Sequence, residues 1–303
     1  MIYIKLVENE DEVKKSFINK IFKKLDNYFP KIEEKKINDK TLIVLYNTNK
    51  KTLSRLSKYI SINCICKVCL SENLLGNQEF LEYITNEKVK IFDGKWLFKY
   101  LVLECASYVC SCKKEILDYQ EISILCNNPN DIVFNNIKEL ALKIRVLNVV
   151  TNNEKRFKKI EKELYEKKGI ILNVSNNHTK SLKKSDIIFN FDFSEDDINK
   201  FSFSKNACII NLKDEIKINL KSFEGINANF YSIQIPNKYL VDTTLLSEFN
   251  SSILYESYIY KNTSYQNIID EIRNDNITIE FLYGRNGKIR KNEYLKLLKK
   301  IAN

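Results

Sequence analysis

The stretch Ile124–Asp131, ILCNNPND, joins an apolar run to a polar turn and then to a helix start. In an α/β chain this order of residues places main-chain N–H groups at a helix N-terminus, the natural seat of a phosphate. The usual dinucleotide loop uses glycines for the tight turn and for close approach of the pyrophosphate. Here the turn is Asn127, Asn128, Pro129 and Asn130, and no glycine occurs between Gly94 and Gly169. Asparagine enters left-handed backbone angles more readily than most residues, so the turn can form. The Asp131 carboxylate, however, competes with phosphate for the same positive helix end. Asn127, Asn128 and Asn130 are therefore candidate cofactor contacts in a degenerate loop.

The next strand end, VVTNNEKRF, puts Asn152, Asn153 and Arg156 where such a fold meets the adenosine ribose. No acid directly follows the strand to hold a free 2′-hydroxyl, and an arginine nearby suits a 2′-phosphate. Asn190, at the end of DIIFN, is a further candidate cofactor contact. The lone histidine, His178, sits in the polar stretch SNNHTKS, so mechanisms needing several histidines are excluded. Cys66 and Cys69 form a single C-x-x-C pair with no second pair to complete a tetrahedral site. No metal site is expected, and the cysteines near residues 64–69 and 105–112 read as buried free thiols.

Strand-like and helix-like segments must position these residues. Strands are expected at Met1–Leu6, Thr41–Tyr46, Asn63–Leu70 and Lys88–Phe92. Helices are expected at Asn9–Tyr28, Lys51–Ile60, Gln78–Thr85 and, as one long element, Lys95–Lys113. After Tyr119 the alternation restarts, with strands at Glu121–Cys126, Val146–Val150, Ile170–Val174, Asp186–Phe191 and Ala207–Leu212. Helices fall at Asp131–Ile144 and Glu154–Lys167, the latter ended by Gly169. Beyond Tyr239 come helices over Thr244–Tyr260 and from Ser264, a strand at Ile277–Tyr283, a tight GRNG turn and a helix at Asn292–Ala302. The class is α/β. Two α/β domains with mostly parallel sheets (1–118 and 119–238, the second Rossmann-like) precede a mainly helical extension with one strand (239–303).

Composition narrows the function classes. The chain has 303 residues, 44% of them hydrophobic, with a formal charge of +10. That charge comes from 43 lysines and only six arginines, spread among 39 acids, which argues against sequence-specific nucleic-acid recognition. No apolar run is long enough for a membrane span, and the start lacks a signal-peptide pattern. A cytoplasmic protein is expected.

Three stretches give the chain a resemblance to the shikimate dehydrogenase group of the amino-acid-dehydrogenase-like proteins. FDGKWLFKYL (Phe92–Leu101) is similar to that group's NTDG-x-G-F-x-x-x-L segment, with Trp96 in place of the second glycine. LYNTNKK (Leu45–Lys51) resembles NVT-x-P-x-K, without its proline, and VVTNNEKRFKKIEKEL resembles N-R-T-x-x-x-A-x-x-L. The resemblance implies NADP as cofactor and a catalytic pair of Asp93 with Lys50 or Lys51, moving the proton of the hydroxyl being oxidised. A lysine whose pKa is lowered by desolvation, oriented by a carboxylate, can serve that role.

Two readings follow. One is an NADP-dependent oxidoreductase acting on a small hydroxy or keto acid through a degenerate cofactor loop. The other is a non-catalytic scaffold or regulatory protein that keeps the fold, needs no cofactor, and binds a nucleotide, a protein partner or a second copy of itself.

Overall fold

The computed structural model describes residues 1–7, 32–37, 40–219, 223–236, 238–239, 249–260 and 264–299. The helix expected over Asn9–Tyr28 lies outside them, as does the first part of that expected over Thr244–Tyr260. The chain divides into two compact units, Met1–Asp93 with Asn237–Tyr260, and Gly94–Pro236 with Lys261–Asn303. The division passes between Asp93 and Gly94, so the helix Val102–Lys113 belongs to the second unit rather than ending the first. The tail is shared between both units.

In the first unit, β1 (Ile2–Leu6), β2 (Ile32–Ile37), β3 (Lys40–Leu45), β4 (Lys67–Leu70) and β5 (Lys90–Phe92) form one sheet of order β2-β3-β1-β4-β5. All neighbours are parallel except β2, which pairs antiparallel with β3. The charged sequence of β2, IEEKKI, hides its strand character but suits an edge, where charge discourages further pairing. Ile2, Ile4, Ile43, Leu45, Val68 and Leu70 build the core with Leu56 and Ile60 of the helix Lys50–Ile62. The tail helix Ser251–Ile259 belongs to this unit, with Tyr255 wholly buried and Ser257 Oγ 3.2 Å from Tyr3 Oη.

The second unit holds β6 (Glu121–Leu125), β7 (Val146–Val150), β8 (Asn173–Ser175), β9 (Ile187–Asn190), β10 (Cys208–Asn211) and β11 (Ile226–Ala228). Their order is β11-β10-β9-β6-β7-β8, every pair parallel. Counted from β6 this is the 3-2-1-4-5-6 order of a Rossmann domain, whose ligand crevice opens at the carboxyl ends of the two central strands. Those strands are β6 and β9. Three further strands, β12 (Phe230–Ile233), β13 (Ile279–Gly284) and β14 (Gly287–Lys288), make a small antiparallel sheet closed by the GRNG turn.

The helix expected over Lys95–Lys113 is broken into Lys95–Phe98 and Val102–Lys113. Gly94, at φ 78°, turns the chain out of β5. Phe98 then stacks on Tyr231 at 4.3 Å, whose hydroxyl donates to the Gly94 carbonyl. At the break the Lys99 carbonyl accepts from the Asn136 side chain at 2.7 Å, which replaces a helical partner. Gly169, at φ 66°, caps the helix Lys158–Lys168 as its position in the sequence implies.

One carboxyl group in this unit is placed against physical cost. Glu104 lies near Glu139 and Arg273; the residue is half-buried, and its Oε2 is enclosed without a hydrogen-bond partner. Arg273, on the helix Tyr265–Asn274, pairs with Glu139 at 2.8 Å. Burial pushes the Glu104 carboxyl up to about 7, with Arg273 opposing the shift. The folded chain thus holds this proton more tightly than the unfolded one. Its stabilisation is complete below about pH 4.5 and lost as pH rises to about 7. Thermal melts from pH 5 to 8 should show Glu104→Gln gaining on the unaltered chain by up to about 3 kcal/mol as pH rises. Parallel pH profiles for the two proteins would contradict this.

Candidate functional site

At the carboxyl edge of the second sheet, the loop after β6 and the turn after β9 meet. The turn is shaped by Asn190, which is buried and makes two bonds to one residue. Its Oδ1 accepts from the Phe193 N–H at 2.9 Å, and its Nδ2 donates to the Phe193 carbonyl at 3.0 Å. Asp192 is thereby presented towards the asparagine loop. The Asn127 N–H donates to Asp192 Oδ1 and the Asn128 N–H to Oδ2, both at 2.7 Å. These lengths are those of charge-assisted bonds. Cys126 Sγ lies 3.7 Å from the same carboxylate, and burial, reinforced by Asp192, raises its thiol pKa.

The side chains of the loop are also engaged. Asn127 Oδ1 accepts from the Asn152 N–H at 2.8 Å, and Asn128 Oδ1 accepts from Arg156 Nη1 at 3.0 Å. Asn130 caps the helix Asp131–Ala141 by accepting from the Val133 N–H at 3.1 Å. The Asn153 N–H donates to Thr151 Oγ1 at 3.0 Å. The candidate cofactor residues therefore gather at one sheet edge. The side-chain oxygens of Asn127, Asn128 and Asn130 are taken by neighbouring donors, and the Asn127 and Asn128 main-chain amides by Asp192, a residue not singled out from the sequence. Its signal was there: an acid two residues past the end of a central strand, facing a loop that has no glycine.

The stitching continues along the edge. Asn190 Nδ2 also donates to Asn211 Oδ1 at 3.1 Å, and Asn211 Nδ2 reaches Asn227 Oδ1 at 2.8 Å and Asn229 Oδ1 at 2.9 Å. Asn229 Oδ1 in turn accepts from the Ile216 N–H, and Asn227 Nδ2 donates to the Ile216 carbonyl. This chain of amides ties the ends of β9, β10 and β11 to the segment that follows β10.

The candidate catalytic residues stand at the carboxyl edge of the first sheet. Lys50 and Lys51 are exposed in the first turn of the helix after β3, whose cap Asn49 accepts from the Thr52 N–H at 2.8 Å. Asp93 is exposed directly after β5. Strands β1 and β4 lie between β3 and β5 in the sheet. The first turn of that helix carries no acid, so its two lysines face a positive helix end unrelieved by an acidic neighbour in that turn.

The cysteines depart in part from expectation. Cys69, Cys105, Cys110, Cys112, Cys126 and Cys208 are buried, but Cys64 and Cys66 are exposed. The strand expected from Asn63 begins only at Lys67, which leaves those two thiols in the preceding turn. Among the described residues no three metal-binding side chains converge. His178 opens the short helix His178–Leu182. Among the described residues, no helix is long and apolar enough to cross a membrane.

The Asp192 arrangement has a measurable cost of removal. Asp192→Ala leaves two loop amides without their anion and should destabilise the chain by about 2 kcal/mol. Amide hydrogen exchange at Asn127 and Asn128 should accelerate by about tenfold or more. Unchanged exchange at both positions would mean that the carboxylate does not hold the loop.

No protein-family model matches the sequence, and no curated protein matches it. Among solved structures the chain is similar to a D-3-phosphoglycerate dehydrogenase-type oxidoreductase from Ralstonia solanacearum, with a TM-score of 0.38 and 13% identity over 97% of this chain and 98% of that one. It is also similar to L-tryptophan dehydrogenase from Nostoc punctiforme, with a TM-score of 0.32 and 10% identity over 90% and 80%. A third is shikimate 5-dehydrogenase from Listeria monocytogenes, with a TM-score of 0.30 and 10% identity over 89% and 95%.

Proposed function

We propose that this chain is a Rossmann-fold protein that works without a dinucleotide, as a scaffold or regulatory protein binding a protein partner or a second copy of itself. The observation that carries the reading is Asp192 on the loop amides. A pyrophosphate entering the crevice would have to displace a carboxylate already making two charge-assisted bonds. It would also meet the Asp131 carboxylate at the helix start, and an Arg156 already shared with Asn128. No glycine lets the backbone approach it.

A second reading, an NADP-dependent oxidoreductase acting on a small hydroxy or keto acid, is favoured by the first sheet. The two lysines in the opening turn of the helix after β3 suit an anionic substrate, and one of them would move the proton; Asp93 stands three strand spacings along the sheet and would meet the substrate separately. That reading requires the Asp192 turn to open when NADP binds.

Calorimetric titration of the full chain separates the two. With NADPH and NADH we expect no saturable heat up to about 1 mM, where binding is worth only about 4 kcal/mol. Asp192→Ala, which vacates the loop amides, should gain measurable affinity for NADPH. Micromolar, saturable NADPH binding by the unaltered chain, weakened in Arg156→Ala, would overturn the first reading in favour of the second.

A further inference from the structure

A polar cavity lies on one face of the Rossmann sheet, chiefly over its amino-terminal half. Its origin is topological. The connection from β8 to β9 must cross β7 and β6, yet it consists of residues 176–186 with one helical turn and a half, His178–Leu182. Parallel crossovers usually take about a dozen residues or more, most of them in a helix that covers the sheet. Leu182 of this short helix packs with Leu125, Val150 and Ile188, which close the carboxyl-terminal half of the face. The other half stays open.

The residues under the opening depart from the apolar rule for a sheet covered on both sides. On this face Asn148 of β7 stands in register with Asn173 of β8 and Ser123 of β6, and Glu121 lies two residues before Ser123 on the same face. Asn173 Nδ2 donates to Asn148 Oδ1 at 3.2 Å, and Asn148 Nδ2 donates to Glu121 Oε1 at 3.0 Å. Asn148 is 4% exposed, so this ladder forms the floor of a half-open cavity of about 530 Å³. Lys180, on that helix, and Lys184, two residues past its end, line it, as does Glu161. Among the described residues neither lysine ammonium has an ion-pair partner, and Glu121 engages only one carboxylate oxygen in the ladder.

We infer that this cavity binds a small zwitterion, a free amino acid in chemical class, with its carboxylate against Lys180 and Lys184 and its ammonium against Glu121. Two lysines and two glutamates around one cavity suit a ligand carrying both signs, whereas a simple anion would meet Glu121 and Glu161 unpaired. The amides of Asn148 and Asn173 offer the remaining donors and acceptors to the ligand's polar groups. The size of the cavity admits such a molecule with accompanying water.

The test uses the full chain and the twenty common L-amino acids, first by thermal shift and then by calorimetry. Acetate and methylamine serve as ligands carrying one sign each. At least one amino acid should raise the melting temperature by about 3 °C or more near saturation, and neither single-sign control should. The double variant Lys180→Ala/Lys184→Ala alters only exposed side chains; it should fold normally and bind that amino acid about tenfold more weakly, as should Glu121→Gln. No response to any amino acid up to about 10 mM, an equal response to acetate, or unchanged binding in the double variant each overturns the inference.

Discussion

The arrangement at the second sheet depends on the pairing of one carboxylate with two main-chain amides. At the switch point of a doubly wound sheet, loop N–H groups and a helix N-terminus point outward and need an anion. Nucleotide-binding domains meet that need with a phosphate, and glycines let the phosphate in. In this chain Asp192 meets it from within, at 2.7 Å to both Asn127 and Asn128. Because Asp192 is tethered one strand away and held by the Asn190 clamp on Phe193, it reaches the amides at little entropic cost. A ligand from solution must overcome that advantage.

The same constraint explains why so many asparagines line this edge. An amide donates and accepts at once, so each can close a turn and bridge to the neighbouring strand. Asn190, Asn211, Asn227 and Asn229 do this in sequence across the ends of β9, β10 and β11, while the Asn127 side chain accepts from the Asn152 main chain between the loops after β6 and β7. In a cofactor-binding relative of such a fold, those donors would stay available to a ligand. Here they give the edge internal order. The polar ladder on the sheet face, Glu121 to Asn148 to Asn173, is different, because it ends at an opening rather than at another loop.

Much of this architecture was legible in the sequence because its signals are periodic. The apolar strands Val146–Val150 and Glu121–Leu125, the asparagine turn between them and Gly169 as a helix end could be read directly. The edge strand β2 was not, because its alternation is masked by charge. The break after Phe98 was not, because it depends on Asn136 reaching the Lys99 carbonyl from a distant helix. The loop residues were found as a group, but not their fate, since Asp192 lies 65 residues from Asn127 and only the strand order makes them neighbours. Sequence spacing carries local geometry well and nonlocal partners poorly.

The two larger sheets also differ in the charge they set at corresponding places. The helix after β6, at the edge of the second sheet, opens on Asp131, and the loop before it is held by the Asp192 carboxylate. The helix after β3, at the edge of the first, opens on Lys50 and Lys51 with no acid in its first turn. A helix N-terminus attracts negative charge, so Asp131 and Asp192 satisfy the second site while the lysines add to the positive field of the first. The fixed carboxylates beside the loop after β6 therefore oppose an incoming anion, whereas the first turn of the helix after β3 carries none. At the loop after β6, an anion can reach the amides of Asn127 and Asn128 only by displacing Asp192, which already makes two short bonds to them.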